Sequence, residues 1–366
     1  MSKYQSTHSA RLERWLGSEQ VENISSTMKG WYGPPIPVGN VPGRVYATGD
    51  GDFCGPIKGG YVASAFEFTL SRLQQARRRM VQRHGSQLNT GFASLSDLIS
   101  EATTGGKRQD FMFAKTGVTG VANIANNLFD VGANPPTMAT LSDATGESPT
   151  NSTAGAIPFT NPGGSDTLHF ITATAVASVG NNNLLMYDLY YRFLHNIATD
   201  PQAVSDVPSR YQSTAAAGTF ITCFVSTALG AGTPTYTITY MDQAGNTAED
   251  AAAQTIVGSA IARRFPFAVA VGNGWFIPLN SGDTGVRKIT NLNLSAASTG
   301  KIYVCLCKPY VWIPQPIANQ SIIIDGINSA FNLVTITESS CIQFMEINKG
   351  ATSATSYNGQ IILVSG

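Results

Sequence analysis

A regular alternation of large apolar side chains and threonines is the feature that most constrains how this chain folds. Tyr236, Ile238 and Tyr240 occupy every second position, and Thr237 and Thr239 lie between them. This period of two is typical of a β-strand that turns one face towards a core. The sequence therefore predicts a half-buried strand here, with the two tyrosines and the isoleucine facing inward.

Turn sequences follow this strand and separate it from further strands. Reversals are predicted at Asp242–Asn246, where Gly245 can adopt a positive φ angle, and at Ser281–Gly285. The other predicted strands are apolar or alternating runs bounded by Gly, Asn or Pro. They are Leu168–Ser178, Asn183–Tyr191, Gly218–Ser226, Val286–Leu294, Lys301–Cys307, Gln320–Ile324, Leu333–Thr337, Cys341–Ile347 and Gln360–Val364. The run from Tyr236 to Cys307 is interpreted as a meander that ends at Pro309 and Pro314.

About ten short strands with regular turn signals predict a mainly β fold, made of antiparallel β-sandwich or jelly-roll-like modules. Short connections favour antiparallel pairing. A smaller helical region and an extended arm are predicted before these strands. The predicted division is an extended arm at 1–60, a helical region at 61–131, a linker at 132–164, a β-sandwich module at 165–314, and C-terminal strands at 315–366 that complete or extend that module.

The N-terminal part contains the residues predicted to make assembly contacts. Pro and Gly are dense between residues 30 and 43, which favours an extended arm, and Trp31 and Tyr32 in it are expected to pack onto the chain's own body or a neighbouring subunit. A long helix is predicted at Tyr61–His84. One of its sides carries a group of arginines that includes Arg77, Arg78, Arg79 and Arg83. We interpret this side as solvated or subunit-facing, and a phosphate-binding surface for nucleic acid is the alternative.

Charge is scarce and unevenly distributed. Only 13% of the residues are charged, about half of the usual share of roughly 25%. Residues 1–120 carry 14 Lys and Arg against 9 Asp and Glu, a net charge of +5, so the remainder carries −5. A surface with few charges is poorly protected against association, which favours a protein that packs against copies or partners. A robust secreted β-protein is the alternative.

No catalytic, cofactor or metal motif is recognised. The five cysteines are Cys54, Cys223, Cys305, Cys307 and Cys341. Their odd number and wide spacing predict buried free thiols and not a disulfide framework, and they indicate that the chain is made in a reducing cytoplasm. The four histidines have no paired spacing. No secretory signal is expected at the first residues, and no apolar run is long enough for a transmembrane helix. The adjacent pair Glu249 and Asp250 leaves a glycan-degrading enzyme as a minor alternative.

Short turn motifs resemble those of poorly characterised virion proteins of tailed bacteriophages. The segment Gly230–Thr247 contains Tyr-Met-Asp-Gln-Ala-Gly-Asn, and Ser281–Arg287 reads Ser-Gly-Asp-Thr-Gly-Val-Arg. The family repeats Thr-x-Ser-Tyr-Thr-Asn-Gln-Ala-Gly and then Gly-Asp-Thr-Gly-Val-Arg. Gly106–Phe111 and Gly155–Phe159 are also similar to the N-terminal portions of those proteins. The resemblance spans roughly Leu95–Pro314, and the chain departs from it at Met241-Asp242 and in the arm before residue 95.

The resemblance implies a structural virion protein without catalytic residues, made in the cytoplasm of a bacterial host. Its partners would be copies of itself and other virion proteins. The turn residues expected to stabilise loops, or alternatively to form a subunit contact, are Gln243, Gly245, Asp283, Gly285 and Arg287. A capsid-associated minor capsid, cement or decoration protein is the preferred interpretation. A major capsid subunit, a tail or baseplate component, and a receptor-binding module using Trp275 and Trp312 are the alternatives, although both tryptophans are expected in the core.

Overall fold

The computed structural model describes residues 92, 94–117, 119, 121–268, 274–327, 333–348 and 353–366, and the backbone of two short strands before them. The chain divides into two units, Met1–Arg83 and His84–Gly366. In the first unit, β1 (Tyr46–Ala47) pairs with β2 (Phe53–Cys54) in antiparallel fashion. The predicted helix at Tyr61–His84 lies outside the described residues.

The second unit contains one described α-helix and sixteen strands. They are α1 (Leu95–Thr103), β3 (Arg108–Thr116), β4 (Ala125–Asn127), β5 (Gly146–Glu147), β6 (Leu168–Ala177), β7 (Asn182–Asn196), β8 (Gln202–Ala203), β9 (Phe220–Thr227), β10 (Thr235–Asp242), β11 (Glu249–Asp250), β12 (Gln254–Thr255), β13 (Val286–Leu294), β14 (Lys301–Gln315), β15 (Ser321–Asp325), β16 (Thr335–Ile336), β17 (Ile342–Asn348) and β18 (Ser356–Ser365). A short 3₁₀ turn lies at Thr214–Ala216.

These strands form three sheets in which neighbouring strands are antiparallel, so the predicted mainly β, antiparallel fold class is confirmed. The first sheet has the order β15-β6-β18-β3, with β16 also paired to β6. The central sheet has the order β4-β17-β7-β14-β9, with β5 paired to β7. The third sheet has the order β11-β10-β13-β8, with β12 paired to β10.

The central sheet is buried on both faces. Along β7, Leu184 and Met186 belong to the apolar core shared with the first sheet, whereas Leu185, Tyr187 and Leu189 belong to the core shared with the third sheet. Successive side chains of a strand point to opposite faces, so a strand between two cores needs apolar residues at every position. The fold is therefore three β-layers, in effect two sandwiches that share their middle sheet.

A segment outside the named strands joins the two edges of the central sheet. The amide of Arg263 donates to the Val225 carbonyl of β9 at 2.6 Å, and the Asn127 amide of β4 donates to the Arg263 carbonyl at 2.9 Å. Next to it, the Phe265 amide donates to Ala125 of β4 at 2.9 Å. Backbone groups that would otherwise be unpaired at both edges are satisfied in this way.

The structure differs from the expected division of the chain in two segments. Helix α1 lies within the region expected to be helical, and the Ser94 hydroxyl caps it by accepting from the Asp97 amide at 3.1 Å, but strand β3 follows within the same region. The segment 132–164 was expected as a linker. Met138, Ile157 and Phe159 from it are instead buried in the two cores.

Two expectations about strand connections are wrong. The third sheet contains β13 and the central sheet contains β14, so the chain crosses between layers there and does not continue as a meander. Strand β14 also continues through Pro309 and Pro314, where a break was expected. Beyond Cys307 it is paired only with β7, and the pairing shifts register between Pro309 and Val311. A strand edge and a bulge are the places where a sheet tolerates proline.

Candidate functional site

The five predicted turn residues come together at one end of the third sheet, where the turn after β10 meets the turn before β13. The Gln243 side-chain oxygen accepts from the Thr284 amide at 2.9 Å and from the Gly285 amide at 3.0 Å. In the opposite direction, Arg287 Nη2 donates to the Gln243 carbonyl at 2.7 Å. We call this arrangement, formed by Gln243, Gly245, Asp283, Gly285 and Arg287, the turn lock.

The first turn of the lock is closed by Asp242. Its Oδ1 accepts from the amides of Gly245 at 2.6 Å and Asn246 at 2.8 Å. Burial alone would raise the pKa of Asp242, but the hydrogen bonds from Asn246, Gly245 and Ala244 outweigh it and lower the pKa below its ordinary value. Gly245 has a φ of 101°, and a Cβ there would lie 3.2 Å from the Arg287 guanidinium. Glycine therefore satisfies both the turn and the close approach of the arginine.

The second turn is attached to the sheet through Tyr240 and Gly285. The Tyr240 hydroxyl donates to the Asp283 carboxylate and accepts from the Asn280 amide at 2.8 Å. Asp283 therefore uses its carboxylate on Tyr240 of the neighbouring strand β10. Gly285 lies against the Ala216 carbonyl, which a Cβ would approach to 1.9 Å. Only glycine allows the chain to pass at this distance.

The described hydrogen bonds of the lock are made within the fold. Its carboxylates, guanidinium and amide groups are directed at backbone or side-chain partners in the same two turns and their adjoining strands. Such bonding fixes loop geometry and leaves these polar groups engaged within the fold. The residue types at these positions predicted turns, but the bonds between the two turns were not predicted.

A second polar cluster, which the sequence analysis did not identify, surrounds Asp188 in the middle of β7. Its carboxylate is fully buried and forms a two-pronged ion pair with Arg210, at 3.0 Å from Nε to Oδ2 and 2.9 Å from Nη2 to Oδ1. The Cys341 amide, the Ser340 hydroxyl and the Tyr211 hydroxyl donate to the same carboxylate at 2.8 to 3.1 Å. A carboxylate with five donors is an anchor for the loops around it.

The Asp188 cluster continues towards the surface through tyrosine hydroxyls. The Tyr211 hydroxyl accepts from Thr337 Oγ1 at 2.9 Å, and Tyr310 lies 2.7 Å from the Ser340 hydroxyl. Burial raises the pKa of both tyrosines, so they remain neutral donors. A single Asp inside an apolar strand was the signal in the sequence, because a buried charge needs a partner. The partner residues themselves are distant in sequence.

Among the described residues, Glu346 and Lys115 are buried ionisable groups that lie between the first and central sheets without an ion pair. The Glu346 carboxylate accepts from Asn126 Nδ2 and from the Tyr357 hydroxyl, each at 3.0 Å. Burial raises the pKa of Glu346. Lys115 Nζ donates to the carbonyls of Val131 at 3.0 Å and Pro135 at 2.6 Å, and burial lowers the pKa of this lysine to about 8.

The described cysteines are buried free thiols, in agreement with the sequence analysis. Burial raises the pKa of Cys341 to about 12, and those of Cys223, Cys305 and Cys307 are also raised. Thiols of this kind are unreactive and are poor metal ligands. Among the described residues, no group of three or more His, Cys, Asp and Glu lies together as a set of metal ligands.

The remaining candidate residues are placed as follows. Glu249 and Asp250 are consecutive on β11, so their side chains point to opposite faces and do not converge as a glycosidase pair would. Trp275 is half-buried, whereas Trp312 is 38% exposed. The prediction that Trp312 lies in the core is therefore wrong. It lies on the part of β14 that is paired only with β7, and its ring centroid is 5.7 Å from that of Trp275.

The predicted assembly residues of the N-terminal part lie outside the described residues. They are Trp31, Tyr32, Arg77, Arg78, Arg79 and Arg83. Their contacts therefore remain predictions from the sequence.

No family model and no curated protein sequence matches the chain. Among solved structures, it is similar to a structure of the Gt strain of infectious bursal disease virus, with 9% identity, 70% of this chain and 80% of that chain covered, and a TM-score of 0.15. It is also similar to the VP2 subviral particle of the same virus, with 8% identity, 78% and 86% covered, and a TM-score of 0.16. TM-scores of this size carry no conclusion about fold or function. In the part of the chain that the structure describes, no helix is long and apolar enough to cross a membrane.

Proposed function

We propose that the chain is a structural component of a bacteriophage virion and that it works through contacts between subunits. The observation that carries this proposal is the turn lock. The two motifs by which the sequence resembles virion proteins contact each other, and their side chains bond to the fold itself. Motifs used in this way support a role in holding a rigid β scaffold, which is what a repeating assembly requires of each subunit.

The low charge of the chain supports the same proposal. Charged side chains make up 13% of the sequence, and charged surfaces are a principal barrier to unwanted contact between proteins. A chain with few of them is suited to surfaces that are covered by neighbours. Many weak contacts then add up through multivalency, so no single interface needs to be strong.

Within this class we favour a capsid-associated minor capsid, cement or decoration protein. A major capsid subunit and a tail or baseplate component are the alternatives, and they differ from it chiefly in copy number. The predicted arm and the arginines at residues 77–83 would attach the subunit to the shell in this proposal. The three-layer unit of residues 92–366 would form its bulk.

The test is the number of copies of the chain in purified virions of the phage that encodes it, measured by quantitative mass spectrometry against the known shell protein. A capsid-associated role predicts copies on the order of hundreds, whereas about a dozen or fewer would assign the chain to the tail. Absence from the particle would overturn the virion proposal altogether. A count equal to that of the shell lattice would identify the chain as a major capsid subunit.

A further inference from the structure

A buried histidine connects the central sheet to the third sheet. His195 is the last but one residue of β7, and its side chain is fully buried. Its Nδ1 atom lies 2.8 Å from the hydroxyl of Tyr236 on β10, a residue that is itself only 1% exposed. Its Nε2 atom lies 3.1 Å from the carbonyl of Thr199, in the loop that follows β7. Both ring nitrogens therefore have a partner, and the two partners lie on different segments.

The two partners fix which nitrogen of the neutral ring carries the hydrogen. A carbonyl oxygen can only accept, so Nε2 of His195 donates to Thr199. In the neutral ring Nδ1 is then an acceptor, and the Tyr236 hydroxyl donates to it. Protonation would turn Nδ1 into a second donor, and the tyrosine hydrogen would lose its acceptor in a buried site. Loss of a buried hydrogen bond of this kind is unfavourable.

The surroundings of His195 also disfavour a positive charge. In the part of the chain that the structure describes, His195 forms no ion pair. Asp200 favours the charged ring, but its carboxylate already accepts from the Leu294 amide at 2.7 Å, and burial has the larger effect. Cys223 and Tyr236 in the same core stay neutral, because burial raises the pKa of both. Burial therefore lowers the pKa of His195 below its ordinary value of 6.5.

The bonds of His195 reach the two long strands of the third sheet. Tyr236 belongs to β10 and is bonded directly. The loop that contains Thr199 also contains Asp200, whose carboxylate holds the amide of Leu294 at the end of β13. Tyr236 and Leu294 are cross-strand partners. A change in the ring of His195 therefore acts on both strands at the same end of the sheet.

A different residue makes the connection at the opposite end of the third sheet. There the Tyr190 hydroxyl of β7 donates to the Val286 carbonyl of β13 at 2.6 Å, next to the turn lock. Burial raises the pKa of Tyr190, so this bond does not change in mild acid. We call the paired residues 236–238 and 292–294 the histidine end of the sheet, and residues 240–242 and 286–289 the lock end.

We propose that His195 is a pH-sensitive joint, and that protonation of its ring loosens the histidine end of the third sheet from the central sheet while the lock end stays attached. The sign follows from proton linkage. Because the pKa of His195 is lowered in the closed state, the opened state binds more protons below about pH 6.5, and the closed state loses stability as the pH falls through that value. The joint lies within one chain, so it goes beyond the proposed virion function and does not depend on it.

The first measurement is the protonation state of His195 in the full wild-type chain. Nuclear magnetic resonance of the chain labelled with nitrogen-15 in its histidine rings reports it, and the signal is assigned through the contact with the Tyr236 ring, whose centroid is 5.6 Å away. We expect a neutral ring with its hydrogen on Nε2 at about pH 7.5, and a titration midpoint below 6.5. A hydrogen on Nδ1, or a midpoint at or above 6.5, would overturn the proposal.

The second measurement is amide hydrogen exchange at the two ends of the third sheet. Rates at about pH 7.5 and about pH 5.5 are corrected for the intrinsic exchange rate at each pH. Protection at the histidine end should fall by up to about tenfold at the lower pH, because an opened histidine is then about one pH unit below its ordinary pKa. Protection at the lock end should not change.

Two matched variants identify the histidine that is responsible. His195→Gln should abolish the pH response, because the glutamine amide can donate to Thr199 and accept from Tyr236 without titrating. His169→Gln is the control. It replaces a buried histidine of β6 in the first sheet, so it should leave the response at the histidine end unchanged.

Three results of the exchange experiment would also reject the joint. These are protection at the histidine end that is the same at both pH values, a fall of equal size at the lock end, and a response that persists in His195→Gln. If His195→Gln does not fold, the titration of the wild-type ring still decides. None of these outcomes changes the number of copies in the virion, so the proposed function is tested separately.

Discussion

At the scale of single residues, Gln243 of the turn lock shows how a surface turn residue can contribute to the stability of the fold. Gln243 bonds two backbone amides of the other turn with one oxygen, and its own carbonyl receives Arg287. Four bonds between segments that are about forty residues apart in sequence therefore depend on this residue or its backbone. The residue type predicted a turn, but its long-range bonds could not be read from local sequence.

Replacing Gln243 by Ala should lower the free energy of unfolding by about 1–3 kcal/mol, since the Thr284 and Gly285 amides both lose an acceptor. Urea denaturation of the full chain measures this change. Gln254→Ala is the matched control, because the Gln254 amide bonds only nearby carbonyls, at 2.9 Å to Ala252 and 3.2 Å to Ala253. Equal effects of the two substitutions would contradict a special role for the lock.

At the scale of elements, the strands were predictable to different degrees for a physical reason. β10 has one buried face, so its alternation of Tyr, Ile and Thr predicted both that the segment is a strand and which of its side chains face the core. β7 and the first half of β14, up to Cys307, are buried on both faces, and their continuous apolar runs predicted strands but not the layer to which each face belongs. The crossing from β13 to β14 depends on long-range pairing, which no local pattern reports.

The same difference yields a prediction for neighbouring leucines of β7. Leu184 and Leu185 are both fully or almost fully buried, in different cores. Leu184→Ala and Leu185→Ala should each lower the free energy of unfolding by about 2–5 kcal/mol, because each leaves a cavity in a packed layer. Denaturant titration provides the measurement.

The control for this prediction lies on β10, where only one face is in a core. Ile238→Ala should be as costly as the two leucine substitutions, whereas Thr237→Ala on the other face should cost under about 1 kcal/mol. If one of the two leucine variants were as mild as Thr237→Ala, the central sheet would have an open face and the three-layer arrangement would be wrong.

At the scale of the whole molecule, the layers enclose charges as well as apolar side chains, and this links stability to pH. Glu346 and Lys115 both lie between the first and central sheets, and neither has an ion-pair partner among the described residues within salt-bridge distance. Each group is held by neutral hydrogen-bonding partners. Burial therefore favours the uncharged form of both, which moves their pKa values in opposite directions.

The signs follow from proton linkage. For Glu346 the folded pKa is raised, so the folded state binds more protons than the unfolded state just above pH 4.5, and stability falls as the pH rises through that window. For Lys115 the folded pKa is about 8 against an ordinary 10.5, so the unfolded state binds more protons between these values, and stability rises with pH there. The combined contribution of Glu346 and Lys115 to stability is therefore lowest at neutral pH, between these two pH ranges.

Substitution of Lys115 by Met should remove the rise in stability between about pH 8 and 10.5 while leaving the acid side of the curve unchanged. Chemical denaturation of the full chain at a series of pH values measures both limbs. Lys107→Met is the control for the direction of the effect. The ion pairs of Lys107 with Asp166 and Glu101 raise its pKa, so this lysine makes stability fall as the pH rises, and its removal should change the stability curve in the direction opposite to that of Lys115→Met. A Lys115→Met curve parallel to the wild type through that window would show that the amine is charged in the folded layer, and that its two carbonyl partners are enough to hold it there.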